Sequence, residues 1–102
     1  MSESLHEQID TQVKNNKVVI FMKGEKTAPM CGFSARAVEV IKTLNVPFET
    51  VNVLADEAMW DELEKYSNWP TVPQIFINGK FVGGCDIVTE LHERGELKKL
   101  LG

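Results

Sequence analysis

The 102-residue sequence predicts an α/β fold built on a four-stranded mixed sheet with helices on both faces. Short runs rich in β-branched residues alternate with segments that have helical periodicity. The first two of these runs are each followed by a helical segment, which favours parallel neighbouring strands. The last two are joined by Asn78-Gly79, a pair that suits a two-residue type I′ turn between antiparallel strands.

The first half of the chain alternates helix and strand. In order, the sequence predicts a helix with Leu5, Ile9 and Val13 on one face, a strand at 18–21, a loop at 23–29, a helix after Cys31 with Ala37, Ile41 and Leu44 on one face, and a strand at 48–53. The helix after Cys31 should stop before Val46-Pro47, because a residue that precedes proline disfavours helical dihedral angles.

The second half adds three helices and a hairpin of two strands. The predicted elements are a helix with Met59, Leu63 and Tyr66 on one face, strands at 74–77 and 80–84, a helix opened by Ile87 and Leu91, and a short last helix with Leu97, Leu100 and Leu101. The resulting order, α-β-α-β-α-β-β-α-α, is the thioredoxin-like arrangement. We expect one domain over residues 1–102, because this length supports a single modest core.

Composition and charge argue against several classes of function. The formal net charge of −4 disfavours a nucleic-acid-binding protein, which needs a basic face. No apolar run approaches the roughly 20 residues that span a bilayer, so we expect no membrane partner. Two cysteines are too few for a secreted disulfide scaffold, which indicates a reducing compartment. We expect the protein in the cytoplasm, or in an organelle matrix if the chain is the processed form of a longer precursor.

Cys31 is the residue best suited to chemistry, because it precedes a predicted helix. The partial positive charge of a helix N-terminus stabilises a thiolate and lowers the pKa of the cysteine. Lys23, at the end of the first strand, would favour the thiolate further, and Phe33 would form an apolar wall beside it. The alternatives are an inert buried cysteine, a solvated surface lysine and a phenylalanine that anchors the core.

Ser34 stands one helical turn after Cys31, where a Cys-x-x-Cys motif has its second thiol. Cys31 therefore has no local partner with which to form a disulfide. The Ser34 hydroxyl can instead donate a hydrogen bond to the thiolate. Gly32, without a side chain, leaves the approach to the sulfur open.

Two further motifs precede a strand and a helix. Pro73 stands at the first position of a predicted strand, where its missing N–H is harmless. Gly83 and Gly84 lead into a helix and leave backbone N–H groups free to face a ligand, so a carboxylate site is expected there. Asp86 is either part of that site or merely the helix N-cap, and Cys85 is expected to be buried and supportive.

Four motifs in this order resemble those of the CGFS-type monothiol glutaredoxins. They are MKG at 22–24, PMCGFS at 29–34, NWPTVPQ at 68–74 and NGKFVGGCDI at 78–87. The resemblance extends over nearly the whole chain, from about Val18 to Leu101. A lone CGFS would be weak evidence, whereas four motifs with matching spacing are strong evidence.

The resemblance implies a thioredoxin fold, a cis Val72–Pro73 peptide bond and a glutathione site. In that site Lys23 would bind the glycine carboxylate of glutathione, the Val72 backbone its cysteinyl residue, and Cys85 and Asp86 its γ-glutamyl end. The complete set of expected cofactor-binding residues is Lys23, Cys31, Phe33, Val72, Pro73, Gly84, Cys85 and Asp86. One departure concerns Trp60, which stands where similar proteins often carry a second basic residue. We therefore expect Lys23 to carry more of the anchoring.

The family resemblance also implies a [2Fe–2S] cluster held between two subunits, with Cys31 as metal ligand. Such a cluster takes four thiolates, and one Cys31 from each chain supplies only two. Two glutathione thiols would complete the set. The leading hypothesis is therefore an iron–sulfur cluster carrier or scaffold that works as a glutathione-bridged homodimer, with recipient proteins and a BolA-like protein as expected partners.

Two alternatives use the same cysteine differently. In the first, the chain is a thiol-disulfide oxidoreductase in which Cys31 is the catalytic nucleophile that removes glutathione from glutathionylated proteins. In the second, the chain is a redox sensor in which Cys31 and Cys85 form a slow disulfide. Visible absorption by the purified protein would favour cluster carriage, and rapid turnover of a glutathionyl mixed disulfide would favour the enzyme.

Overall fold

The computed structural model describes residues 4–102, so residues 1–3 of the expected domain lie outside it. Within this range the helices and strands are α1 Leu5–Asn15, β1 Val18–Met22, β2 Gly24–Glu25, β3 Ala28–Pro29, α2 Gly32–Lys42, β4 Glu49–Asn52, α3 Glu57–Ser67, β5 Gln74–Ile77, β6 Lys80–Gly83, α4 Cys85–Glu93 and α5 Leu97–Leu100. A short 3-10 helix, Val53–Ala55, links β4 to α3. None of the helices in the described range is long and apolar enough to cross a membrane.

Four strands form the predicted mixed sheet, in the order β4-β1-β5-β6. Strand β1 pairs in parallel with β4 and antiparallel with β5, and β5 pairs antiparallel with β6. The β5–β6 hairpin turns at Asn78 and Gly79, whose φ angles are 52° and 81°. Both residues have the positive φ that a type I′ turn requires. The predicted hairpin and the thioredoxin-like sheet are therefore confirmed.

Helices cover both faces of the sheet because the central strand β1 is apolar on both sides. All five of its residues are buried, as expected for a central strand with helices on either face. One face packs against α2, α4 and α5, with Val18, Ile20, Met22, Ala37, Val38, Val40, Ile41, Leu44, Ile75, Ile77, Val88, Leu97 and Leu101 in its core. The other packs against α1 and α3, with Ile9, Val13, Val19, Phe21, Val53, Leu63 and Phe76 in its core.

The segment 23–29 differs from the predicted loop because it contains a small antiparallel hairpin of β2 and β3. Gly24 makes this hairpin feasible. Its φ is +93°, and a Cβ at this position would lie 2.6 Å from the carbonyl oxygen of Ala28 and 2.6 Å from the backbone nitrogen of Met30. No other residue fits this backbone without displacing it. Strands β2 and β3 have only two residues each, which is too short for a periodic apolar pattern, so the sequence did not predict them.

Candidate functional site

The candidate site lies at one end of the sheet, where several elements begin or end together. Strands β1 and β6 finish there, and β5, which is antiparallel to both, starts there. Helix α2 begins at Gly32 beside this end, and helix α4 begins at Cys85, immediately after β6. The topology thus gathers the motifs that contain Lys23, Cys31 and Pro73, although Pro73 is far from the other two in sequence.

Cys31 is the N-cap residue of α2 and is partly exposed. The alternative of an inert buried cysteine is therefore wrong. A Cβ placed on the next residue, Gly32, would meet no atom within 4 Å, so the approach to the sulfur is open as predicted. Phe33 is 62% exposed, which identifies it as an apolar surface beside the thiol and not as a core anchor.

The local dipoles favour the charged form of Cys31. Its pKa lies below the ordinary value, chiefly because the backbone N–H of Ser34 donates toward the thiolate, whereas partial burial opposes this shift. The N–H of Phe33, the positive charge of Lys23 and the Ser34 hydroxyl lower the pKa further. Both predicted effects, the helix N-terminus and the nearby lysine, therefore act in the predicted direction.

The backbone at Lys23 and Gly24 is fixed from three sides. The N–H of Lys23 donates to the buried Ser34 hydroxyl at 3.2 Å, and the Lys23 carbonyl accepts from the N–H of Met30 at 2.9 Å. The N–H of Gly24 donates to Oδ1 of Asn52 at 3.0 Å, an oxygen that also accepts from the N–H of Leu54 at 3.0 Å. Asn52 therefore connects β4 to the hairpin that precedes Cys31, and the sequence did not reveal this role.

Replacing Asn52 by alanine should lower the free energy of unfolding by about 1–3 kcal/mol, because the buried N–H of Gly24 loses its acceptor. Asn52→Asp retains an acceptor oxygen at the same position and should keep most of the stability. Urea denaturation of both variants measures the difference. Equal stability of Asn52→Ala and the wild type would show that this side chain does not hold the hairpin.

A cavity of about 290 Å³ opens at this end of the sheet, and Phe33, two residues after Cys31, lines it. Its lining includes six of the predicted site residues, namely Phe33, Val72, Pro73, Gly84, Cys85 and Asp86. Trp69, Thr71 and Ile87 also line it, and these three were missing from the predicted set. Lys23 and Cys31 are not among the lining residues, so the cavity holds only part of the predicted site.

One wall of the cavity is the segment that carries Val72 and Pro73, whose connecting peptide bond is cis. The fully buried Gln74 holds this segment, because its Nε2 donates to the carbonyl oxygens of Trp69 and Thr71, both at 3.0 Å. The sequence contained a signal of this structural role, because Gln74 is the polar residue in an otherwise apolar strand. Ser34 and Gln74 are the two buried polar residues in the described part of the chain, and both support the site.

The adjoining wall is the N-terminus of α4. Its N-cap is Gly84, where an added Cβ would lie 3.4 Å from the carbonyl oxygen of Pro73. Asp86 is exposed in the first turn, so the alternative that Asp86 is only the N-cap is wrong. Cys85 is 5% exposed, with its Sγ 4.0 Å from Oγ1 of Thr89 in the same helix. It is buried, as predicted.

Known proteins resemble this chain in both sequence and fold. The chain matches the Glutaredoxin family over residues 18–82. It is 53% identical to a probable monothiol glutaredoxin 2 of Rickettsia felis, over 93% of this chain and 91% of that protein. Its fold resembles reduced apo GrxS14 of poplar, with a TM-score of 0.85 and 49% identity over 94% of this chain and 88% of that one.

A glutaredoxin–glutathione complex from buckwheat has a similar fold, with a TM-score of 0.84 and 29% identity over 95% of this chain and 86% of that one. The family match covers most of the chain, and the Rickettsia relative shares about half of its residues along nearly the full length of both proteins. The chain therefore belongs to the glutaredoxin family, among the monothiol glutaredoxins.

Proposed function

We propose that this chain binds glutathione and carries a [2Fe–2S] cluster between two subunits, and that it delivers the cluster to recipient proteins. The observation that supports this most directly is the isolation of Cys31. Its thiolate is stabilised and partly exposed, but the residue one turn later is Ser34, and the second cysteine, Cys85, is buried. A reactive thiolate without a neighbouring thiol is suited to bind an external group.

Glutathione would lie along the cavity beside Cys31. Lys23 would pair with its glycine carboxylate, the Val72 backbone with its cysteinyl residue, and the N-terminus of α4 at Cys85 and Asp86 with its γ-glutamyl end. The volume of about 290 Å³ is enough for part of a tripeptide. The related buckwheat protein forms a glutaredoxin–glutathione complex with the same fold, which supports this assignment.

With one available cysteine per chain, the four thiolates of a shared cluster can be supplied only by two chains and two glutathione molecules. A [2Fe–2S] cluster takes four thiolates, and within residues 4–102 no three potential metal-ligating side chains come together. Each chain offers Cys31, whose pKa is lowered chiefly by the backbone N–H of Ser34 and also by that of Phe33. N–H groups that face a sulfur ligand tune its affinity for a metal. The cluster is then cargo, and exchangeable glutathione ligands would make it easy to transfer.

Exposed apolar residues around the thiol support contact with a second protein. Met30 is 72% exposed and Phe33 is 62% exposed, on either side of Cys31. Exposed apolar surface beside a site is typical of places that another protein covers. We propose that a second copy covers it in the cluster-bound dimer, and that recipient proteins or a BolA-like partner approach the same surface, in the cytoplasm.

Lys23→Ala should weaken glutathione binding about tenfold, because a charge-assisted hydrogen bond contributes about 1.5–3 kcal/mol and exposure to solvent reduces this. Calorimetric titration of glutathione into both proteins measures the change. Lys26→Ala is a matched control, because Lys26 lies in the same hairpin but binds the Phe48 carbonyl oxygen at 2.7 Å. Unchanged affinity of Lys23→Ala would remove Lys23 from the site.

Anaerobic reconstitution with iron, sulfide and glutathione tests the proposed function as a whole. The expected result is visible absorption together with a change from monomer to dimer in size-exclusion chromatography. The matched control replaces glutathione with buffer. A protein that stays colourless and monomeric with glutathione present would refute cluster carriage.

The lowered pKa of Cys31 supports a second candidate function, removal of glutathione from proteins. The Cys31 thiolate would attack the glutathione sulfur of a mixed disulfide, releasing the protein thiolate. A second glutathione thiolate would then attack the Cys31–glutathione disulfide, which releases oxidised glutathione and restores Cys31. Turnover of a glutathionylated peptide by the cluster-free protein tests this, and turnover no faster than with glutathione alone would exclude it.

A further inference from the structure

We infer that Trp60 positions the Lys23 ammonium for the glycine carboxylate of glutathione, an inference that rests on the proposed glutathione site. The Lys23 Nζ lies over the indole ring of Trp60, 5.3 Å from the ring centroid. A cation within about 6 Å of the face of a tryptophan is attracted by the negative face of the ring. Trp60 thus supplies an attraction that no basic residue at this position could supply.

The contact matters because, among residues 4–102, the other charged neighbour of Lys23 is the Cys31 thiolate and not a carboxylate. No carboxylate in this range forms an ion pair with its ammonium. The indole face is therefore the aromatic group that restrains the charged end of the side chain. At the other end, the Lys23 N–H donates to the Ser34 hydroxyl and the Lys23 carbonyl accepts from the Met30 N–H, so its Cα is held in position. With both ends held, less conformational entropy is lost when a carboxylate binds.

Trp60 is itself held firmly. It is half-buried on α3 and packs against the apolar cluster between that helix and the sheet, which includes the buried Val53 and Leu63. Its Nε1 is buried and has no hydrogen-bond partner within the described residues. The polar atom of the indole is therefore turned away from solvent and is not offered to a ligand. Trp60 acts through Lys23, so it is a positioning residue.

In the proposed site Lys23 is the cation assigned to the glycine carboxylate, and Trp60 stands where similar proteins often carry a second basic residue. An ammonium binds a carboxylate as a point charge, without the fixed fork of a guanidinium. The Trp60 ring compensates for this lack of directionality, because it restricts the position of the ammonium. The structure thus assigns to Trp60 a share of the recognition of the glycine carboxylate, and this share should disappear when either Lys23 or the carboxylate charge is removed.

A double-mutant cycle tests the inference with glutathione as the probe. Trp60→Leu keeps an apolar side chain against the cluster but removes the aromatic face, and it should weaken glutathione binding about two- to fivefold. Trp60→Phe keeps an aromatic face and should recover part of the loss. In the Lys23→Ala background, Trp60→Leu should have no further effect on the dissociation constant. The glycine monoethyl ester of glutathione should bind wild type and Trp60→Leu equally.

A measurement without ligand separates this inference from the proposed function. Protons on Cε of Lys23 should resonate upfield of those of other lysines in the wild type, because they lie over the ring, and Trp60→Leu should remove the shift. Absence of that shift in the wild type, or equal losses from Trp60→Leu with and without Lys23, would overturn the positioning role. A wild type that shows the shift but binds no glutathione would overturn the proposed site and, with it, the ligand assigned to Lys23.

Discussion

Cys31→Ser is expected to abolish cluster binding and cluster-dependent dimerisation while leaving the fold intact. Serine preserves size but lacks the thiolate that the helix N-terminus and Lys23 stabilise. Because the side chain is partly exposed, the loss of its sulfur should change the free energy of unfolding by no more than about 0.5 kcal/mol. Anaerobic reconstitution with glutathione, followed by a visible spectrum and a sizing column, measures the effect.

The comparison that isolates Cys31 is the same substitution at the other cysteine, Cys85→Ser, treated in the same way. Only the Cys31 variant should stay colourless and monomeric. Thermal denaturation of the metal-free proteins shows whether either fold has changed. A folded Cys31→Ser protein that still reconstitutes to a visibly absorbing dimer would refute the assignment of Cys31 as the cluster ligand.

The sheet and its helices were predictable because they follow from local patterns. The apolar run at 18–21 predicts the central strand β1, which extends one residue further to Met22, and Asn78-Gly79 fixes the turn of the β5–β6 hairpin. The residue types at the predicted boundaries also placed Cys31 and Gly84 at the starts of helices, where the structure has them. These predictions depend on residues that are close together in sequence. For such residues, the spacing of apolar side chains and the residue types preferred in turns are enough to predict the structure.

The supporting contacts of the site were not predictable because they join distant residues. Asn52 binds the N–H of Gly24, 28 positions earlier, and the Lys23 ammonium meets Trp60, which belongs to helix α3. Neither contact could be predicted from the spacing of apolar residues or from a sequence motif. The sequence showed only that Trp60 lacks a charge, and the structure adds that its ring faces the cation which the site retains.

The ligand count would be different if Cys85 could also bind metal, because a dimer would then offer four protein thiolates. We expect that it does not. Cys85 is 5% exposed, and its Sγ lies 4.0 Å from Oγ1 of Thr89, on its own helix α4. A sulfur in this position would have to leave the core before it could share a cluster with Cys31 of either chain.

Wild-type protein reconstituted with iron and sulfide but without glutathione should therefore stay colourless, although all four protein thiols of two chains are present. Cys85→Ser should form the cluster as readily as wild type once glutathione is added. Its free energy of unfolding should fall by about 1–2 kcal/mol, because a hydroxyl replaces a buried sulfur, and urea denaturation measures this. The decisive reading is the visible spectrum. If the wild type turns brown without added thiol and Cys85→Ser does not, Cys85 is a ligand and the glutathione-bridged assembly is wrong.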